Sequence, residues 1–158
     1  MKQHHVFSFL QRMGKSFMLP IAVLPVAGIF LGVGSSLTNE TTIASLHLGS
    51  VLGNGTFLYS VLILLKQVGK ILFDNLPLIF AVSIALGMSK RRNEVAALAA
   101  IIAFFVMHAT INALLCLDGS IVNGVVSGQA LDGSITWVCG MLSLEMGVFG
   151  GIIVGLGV

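Results

Sequence analysis

From Met18 to Leu37 the chain carries no charged side chain and is almost wholly apolar. About 20 such residues are what an α-helix needs to cross a hydrocarbon core about 30 Å thick. Further runs follow at Ile71–Met88, with Asp74 near its start, and at Val95–Leu115, with no charge. Only 9% of the 158 residues are charged, against about 25% in a soluble domain. That is too little charge to cover a water-facing surface, so the apolar excess must face lipid. The 19 glycines fit the same reading, because glycine lets membrane helices approach closely. A cleaved signal peptide fits poorly. The first run is long, it contains Pro20 and Pro25, and more runs follow.

Before the first span, Val6, Phe9, Leu10, Met13 and Phe17 recur at helical spacing, with Ser8, Gln11, Arg12 and Lys15 opposite. This pattern predicts an amphipathic helix at the membrane surface, basic side to the headgroups. Within span one, Pro25 is expected to kink the helix, and Gly28 and Gly32 to offer a GxxxG packing face. Thr38–Gly55 reads as a polar loop. Thr56–Phe73 is mostly apolar but holds Lys66 and Lys70, and a central lysine costs about 2.5–3.5 kcal/mol on insertion scales. It is therefore expected to be a surface or bent helix leading into span two, with Lys70 and Asp74 placed to pair across one turn. Pro77 falls where a helix start tolerates proline. Ser89–Glu94 is a charged turn. In span three, Ala96 and Ala100, and Ala99 and Ala103, are small-residue pairs. Cys116–Glu145 is a polar stretch with Asp118, Asp132 and Glu145, and its Trp137 suits a membrane interface.

Gly147–Val158 is apolar, with Gly147, Gly151 and Gly155 at four-residue spacing, but too short to cross. The expected fold is an all-α polytopic membrane bundle of three full spans plus a truncated fourth. The expected organisation is an interfacial segment over 1–17 and a transmembrane domain over 18–158, with spans near 18–37, 71–88, 95–115 and 147–158. An unfinished span leaves carbonyls unpartnered in lipid, so a longer natural unit is expected.

Lys2, Arg12 and Lys15 precede span one, and Lys90, Arg91 and Arg92 follow span two. The loops at 38–55 and 116–146 have neither Lys nor Arg. The positive-inside rule then places the N-terminus and the 89–94 turn in the cytoplasm. A net charge of +2 is too small to suggest nucleic acid.

No P-loop, GxSxG, HExxH or dinucleotide-binding glycine pattern occurs. No catalytic residue, metal ligand or cofactor is assigned. Cys116 and Cys139 have no metal-ligand spacing and read as apolar filler. Asn39 and Asn54 stand in glycosylation patterns that matter only in a eukaryotic secretory route. What remains is intramembrane polarity. His108 and Asn112 share one face of span three, as a helix–helix hydrogen-bonding pair or part of a transport path. Asp74 and Asn75 stand where span two begins, to cap it or to line a vestibule.

The run Met18-Leu19-Pro20-Ile21-Ala22-Val23-Leu24-Pro25-Val26-Ala27-Gly28 resembles the first span of enzyme IIC, the membrane component of bacterial sugar phosphotransferase systems, in the glucose, glucosamine and maltose group. Phe73-Asp74-Asn75-Leu76-Pro77-Leu78-Ile79-Phe80-Ala81-Val82 is similar to that group's second span, with weaker likeness at Glu94–Phe104 and Gly147–Gly155. The resemblance implies a homodimer in the bacterial cytoplasmic membrane that takes sugar from outside. A phosphorylated enzyme IIB domain then phosphorylates the sugar, with phosphate originating in phosphoenolpyruvate. The family's sugar-binding histidine and glutamate lie in Gly-Leu-His and Thr-Glu-Pro motifs, and neither motif occurs here. The expectation is therefore a permease portion without the sugar-binding half or the phospho-acceptor. The alternatives are a small oligomeric channel or proton-coupled carrier using His108, Asn112 and Asp74, or a dimerising remnant that transports nothing.

Overall fold

The computed structural model describes residues 2–47, 49–53, 55–90, 92–127 and 133–158. Asn54, Arg91 and Asp132 lie outside the described residues, as does the side chain of Lys2. The helices are α1 (Lys2–Ser16), α2 (Met18–Leu37), α3 (Glu40–Ser45), α4 (Gly49–Leu52), α5 (Phe57–Asp74), α6 (Leu76–Met88), α7 (Asn93–Leu117) and α8 (Gly147–Gly157). Between α7 and α8 lie strands β1 (Ile121–Val122), β2 (Val125–Val126), β3 (Ile135–Val138) and β4 (Met141–Leu144). Two compact units form, Met1–Pro20 with Asn75–Val158, and Ile21–Asp74.

Among the described residues, two helical stretches are long and apolar enough to cross a membrane, Val6–Leu37 and Asn93–Leu117, each holding an 18-residue window of mean hydropathy 2.2. A third arises if α5 and α6 together make one span. The outer face of α7 presents Val95, Leu98, Ile102, Phe105 and Val106, all exposed. Lipid accepts such a face, whereas water would penalise it. The result is a helical membrane protein.

The span expected over 71–88 is not one helix. Its first residues finish α5, and the chain breaks at Asn75. Pro77 has no N–H for the Phe73 carbonyl, and its ring crowds that carbonyl, which favours a break here. The same proline fits the first turn of α6. Pro25 behaves differently, since α2 continues through it.

In the unit Ile21–Asp74, α2 and α5 meet where glycine removes a side chain. A methyl group at Gly69 would strike the backbone of Ala27 and Leu31, and one at Gly34 would strike Lys66. Gly28 and Gly32, expected to be the packing face, have open space instead. The polar loop over 38–55 contains α3 and α4. Asn39 starts α3, its Oδ1 accepting from the Thr41 N–H at 3.0 Å.

In the other unit, α6, α7 and α8 pack around Ala81, Phe104 and Val154. On α7 the buried positions Ala100, Phe104 and His108 step by four residues, which keeps them on one helix face. Gly151 and Gly155 let α8 lie against α6: a methyl group at Gly151 would collide with the Pro77 carbonyl, and one at Gly155 with Ala81 and Ile84. Gly147, the third of that series, serves otherwise. It sits at φ 52° at the start of α8, with nothing nearby. α1 packs on α6, where Ser16 fills the space above Gly87 and the Phe17 and Phe80 rings stand 5.7 Å apart.

The stretch 116–146, expected to be a loop, holds two antiparallel hairpins among its described residues. Both close through two-residue turns with positive φ at each turn residue, Asn123 (53°) and Gly124 (74°), then Cys139 (49°) and Gly140 (85°). That geometry matches the twist of the flanking strands, and Asn-Gly is its preferred sequence. β3 is built of Ile, Thr, Trp and Val, all strand formers.

Candidate functional site

The polar residues singled out on α7 converge on β4. His108 is 2% exposed, and its Nδ1 lies 2.8 Å from Ser143 Oγ. A hydroxyl serves either histidine tautomer, donating to a bare nitrogen or accepting from a protonated one. The Phe104 ring closes the other side, 4.5 Å away between centroids and tilted by 60°. One turn further on, Asn112 Nδ2 donates to the Leu142 carbonyl at 2.6 Å.

The second bond follows from strand register. Glu145 N–H bonds the Ser134 carbonyl at 2.8 Å, and Thr136 opposes Ser143 two steps along. Antiparallel partners exchange hydrogen bonds at alternate positions. Leu142, opposite Trp137, is therefore at a non-bonded step and its carbonyl faces away from β3. Asn112 supplies the donor that β3 cannot. His108 and Asn112 thus share a face as expected, but their partners belong to a strand, not to a second helix.

The tip of this hairpin reaches the core. Val138 and Cys139 pack against the Ala81, Phe104 and Val154 cluster. Cys139 Sγ donates to Asn75 Oδ1 at 3.5 Å, joining the tip to the break between α5 and α6. Burial pushes the Cys139 thiol above its ordinary pKa.

Asn75 stands at the cap position of α6, yet its side chain makes no capping bond. The expected cap is therefore not formed. Asp74 turns back along α5, its Oδ2 accepting from Lys70 Nζ at 2.6 Å as the spacing predicted. Both side chains of that pair are half exposed, so its net stabilisation is small. Among the described residues, no three His, Cys, Asp or Glu side chains converge to hold a metal ion. Both cysteines are free thiols.

Ser143 and the two hairpin turns were not identified as site elements in the sequence. Asn123-Gly124 between valines was a legible turn signal. Cys139-Gly140 is a less usual turn, and Ser143 is 35 residues from its partner.

The family model for the phosphotransferase system EIIC matches residues 14–158. The chain is 40% identical, over 150 residues, to the glucose-specific EIICBA component of a phosphotransferase system from Staphylococcus saprophyticus. That alignment covers 95% of this chain but 20% of the relative, so the chain spans about a fifth of the relative's length. Matching the family model over nearly its whole length, and carrying the apolar helices of a membrane component, the chain belongs to the phosphotransferase system EIIC family.

Proposed function

We propose that this chain forms part of the sugar-translocating membrane domain of a phosphoenolpyruvate-dependent permease, taking up a sugar of the glucose type. The observation that carries this is the family match across residues 14–158 onto the apolar helices described above. The glucose-specific name of the staphylococcal relative supports the sugar class. In this reading the domain works as a homodimer, and a phosphorylated IIB domain transfers its phosphoryl group to the sugar at the cytoplasmic face. The host membrane is the bacterial cytoplasmic membrane, with the N-terminus and the 89–94 turn inside. Two Lys- and Arg-free stretches, 38–55 and 116–146, support that orientation.

His108 and Asn112 hold the hairpin in place in this account and do not touch the sugar. Their hydrogen-bond partners, Ser143 and Leu142, support that role. Strand backbone at membrane depth is tolerated only where protein satisfies its polar groups, and Asn112 does this for Leu142. No catalytic residue, cofactor or metal is assigned to these residues.

A chimera tests the reading. This chain replaces the matching segment of the staphylococcal relative, in cells lacking a glucose permease. Phosphoenolpyruvate-dependent glucose uptake is expected from the chimera and background uptake from the 158-residue chain alone. An inserted, stable chimera that takes up no sugar contradicts the permease reading. Uptake by the chain alone contradicts the assignment of sugar binding to other residues.

A further inference from the structure

A feature of α1 is not used by the permease reading. Two cavities adjoin on this helix and share Arg12 and Lys15. The first, about 480 Å³, is lined by Ser8, Gln11, Arg12 and Lys15, all polar. The second, about 290 Å³, continues between Leu19, Leu86 and Gly87. The first is an open polar groove on one helix face with two cations, and the second is a mostly apolar cleft that also carries Ser16 and Ser83.

The charges are uncompensated. α1 contains no acidic residue, and among the described residues neither Arg12 nor Lys15 has an acidic partner. The cleft has a firm wall, because Ser16 packs directly on Gly87. That contact brings the basic end of α1 to the end of α6, just before the basic turn at Lys90 and Arg92. Exposed Val6, Phe7 and Leu10 give the same helix an apolar surface.

We infer that these paired cavities bind one anionic phospholipid. The headgroup phosphate sits between Arg12 and Lys15, with Ser8 and Gln11 near its oxygens, and an acyl chain enters the Leu19–Leu86 cleft. Charge complementarity selects an anionic headgroup. The adjoining apolar cleft selects a lipid over a free phosphate, which has nothing to place there. The inference rests on the membrane placement of α1.

Native mass spectrometry tests it on the full 158-residue chain in mild detergent. Phosphatidylglycerol is compared with phosphatidylcholine of the same acyl chains. Wild type is expected to retain phosphatidylglycerol preferentially. Arg12→Gln with Lys15→Gln is expected to lower that preference roughly thirty-fold, from about fivefold per basic side chain near a bilayer surface. Both side chains are exposed and have no salt-bridge partner among the described residues, so their loss leaves the fold in place. Lys66→Gln with Lys70→Gln removes the same charge from α5 and is expected to keep the preference. Equal retention of both lipids by wild type overturns the site. An unchanged preference in the α1 variant does so too, as does an equal loss in the α5 variant. Displacement by millimolar inorganic phosphate would assign the cations to a soluble anion and overturn the lipid. A chain found outside the membrane fraction would instead undo the membrane placement itself.

Discussion

Ser143, on a four-residue strand, meets His108, on a 25-residue helix, with 2.8 Å between Oγ and Nδ1 and almost no solvent at either side chain. Together with the Asn112 bond to Leu142, this contact fixes a hairpin along a membrane helix. Ser143→Ala leaves the imidazole nitrogen without its partner in a closed site, which costs about 1–3 kcal/mol. Thermal unfolding in detergent is expected to show that loss. Adding His108→Phe is expected to cost less than the sum of the two single changes, because no polar group is then stranded. Strict additivity would mean the two residues do not interact. His108→Asn is expected to leave membrane insertion intact.

The glycines of α8 and α2 give opposite expectations. Gly151→Val places a branched side chain against the Pro77 carbonyl, and Gly155→Val places one against Ala81 and Ile84. Overpacking of this kind costs about 1–3 kcal/mol or more. Gly28→Ala and Gly32→Ala meet open space and are expected to leave stability unchanged. Measuring all four by thermal unfolding separates these sites. Equal tolerance at Gly151 and Gly28 would contradict the α6–α8 contact.

The two thiols differ in reach. Cys116 is exposed, while Cys139 is partly buried at the hairpin tip with its pKa raised by burial. Maleimide is expected to modify Cys116 well before Cys139 at pH 8. A thiol raised in the folded state favours folding below its unfolded pKa, and that contribution is lost as pH rises through the folded value. Cys139→Ala is therefore expected to flatten the alkaline loss of stability. A faster reaction at Cys139 would contradict the buried tip.

How much of this was legible in sequence follows from range. Met18–Leu37 and Val95–Leu115 announce themselves because length and apolarity are local properties. So does the Lys70–Asp74 pair, one turn apart. The four-residue step from His108 to Asn112 correctly placed both on one face. Their partners were hidden, since contacts 35 and 30 residues away leave no local pattern. The hairpins escaped because strands of two to four residues are too short for alternation to stand out. The break at Asn75 has a local signal in Pro77, which removes a helix hydrogen bond, but Pro25 carries the same signal inside the continuous α2. Gly28 and Gly32 matched a packing motif, but the motif does not say which glycines face a neighbour.

The proposed orientation has its own test. In a chain with Cys116→Ala and Cys139→Ala, a membrane-impermeant maleimide is applied to intact cells. Ser120→Cys is expected to label from outside, and Ser89→Cys only after the membrane is opened. The reverse pattern would invert the topology.

Alkaline carbonate washing of membranes from cells expressing this chain bears most directly on the whole account. The apolar faces of α2 and α7 require lipid, so the chain is expected to stay in the pellet and to be released only by detergent. Recovery of monomeric protein in the detergent-free supernatant would contradict it.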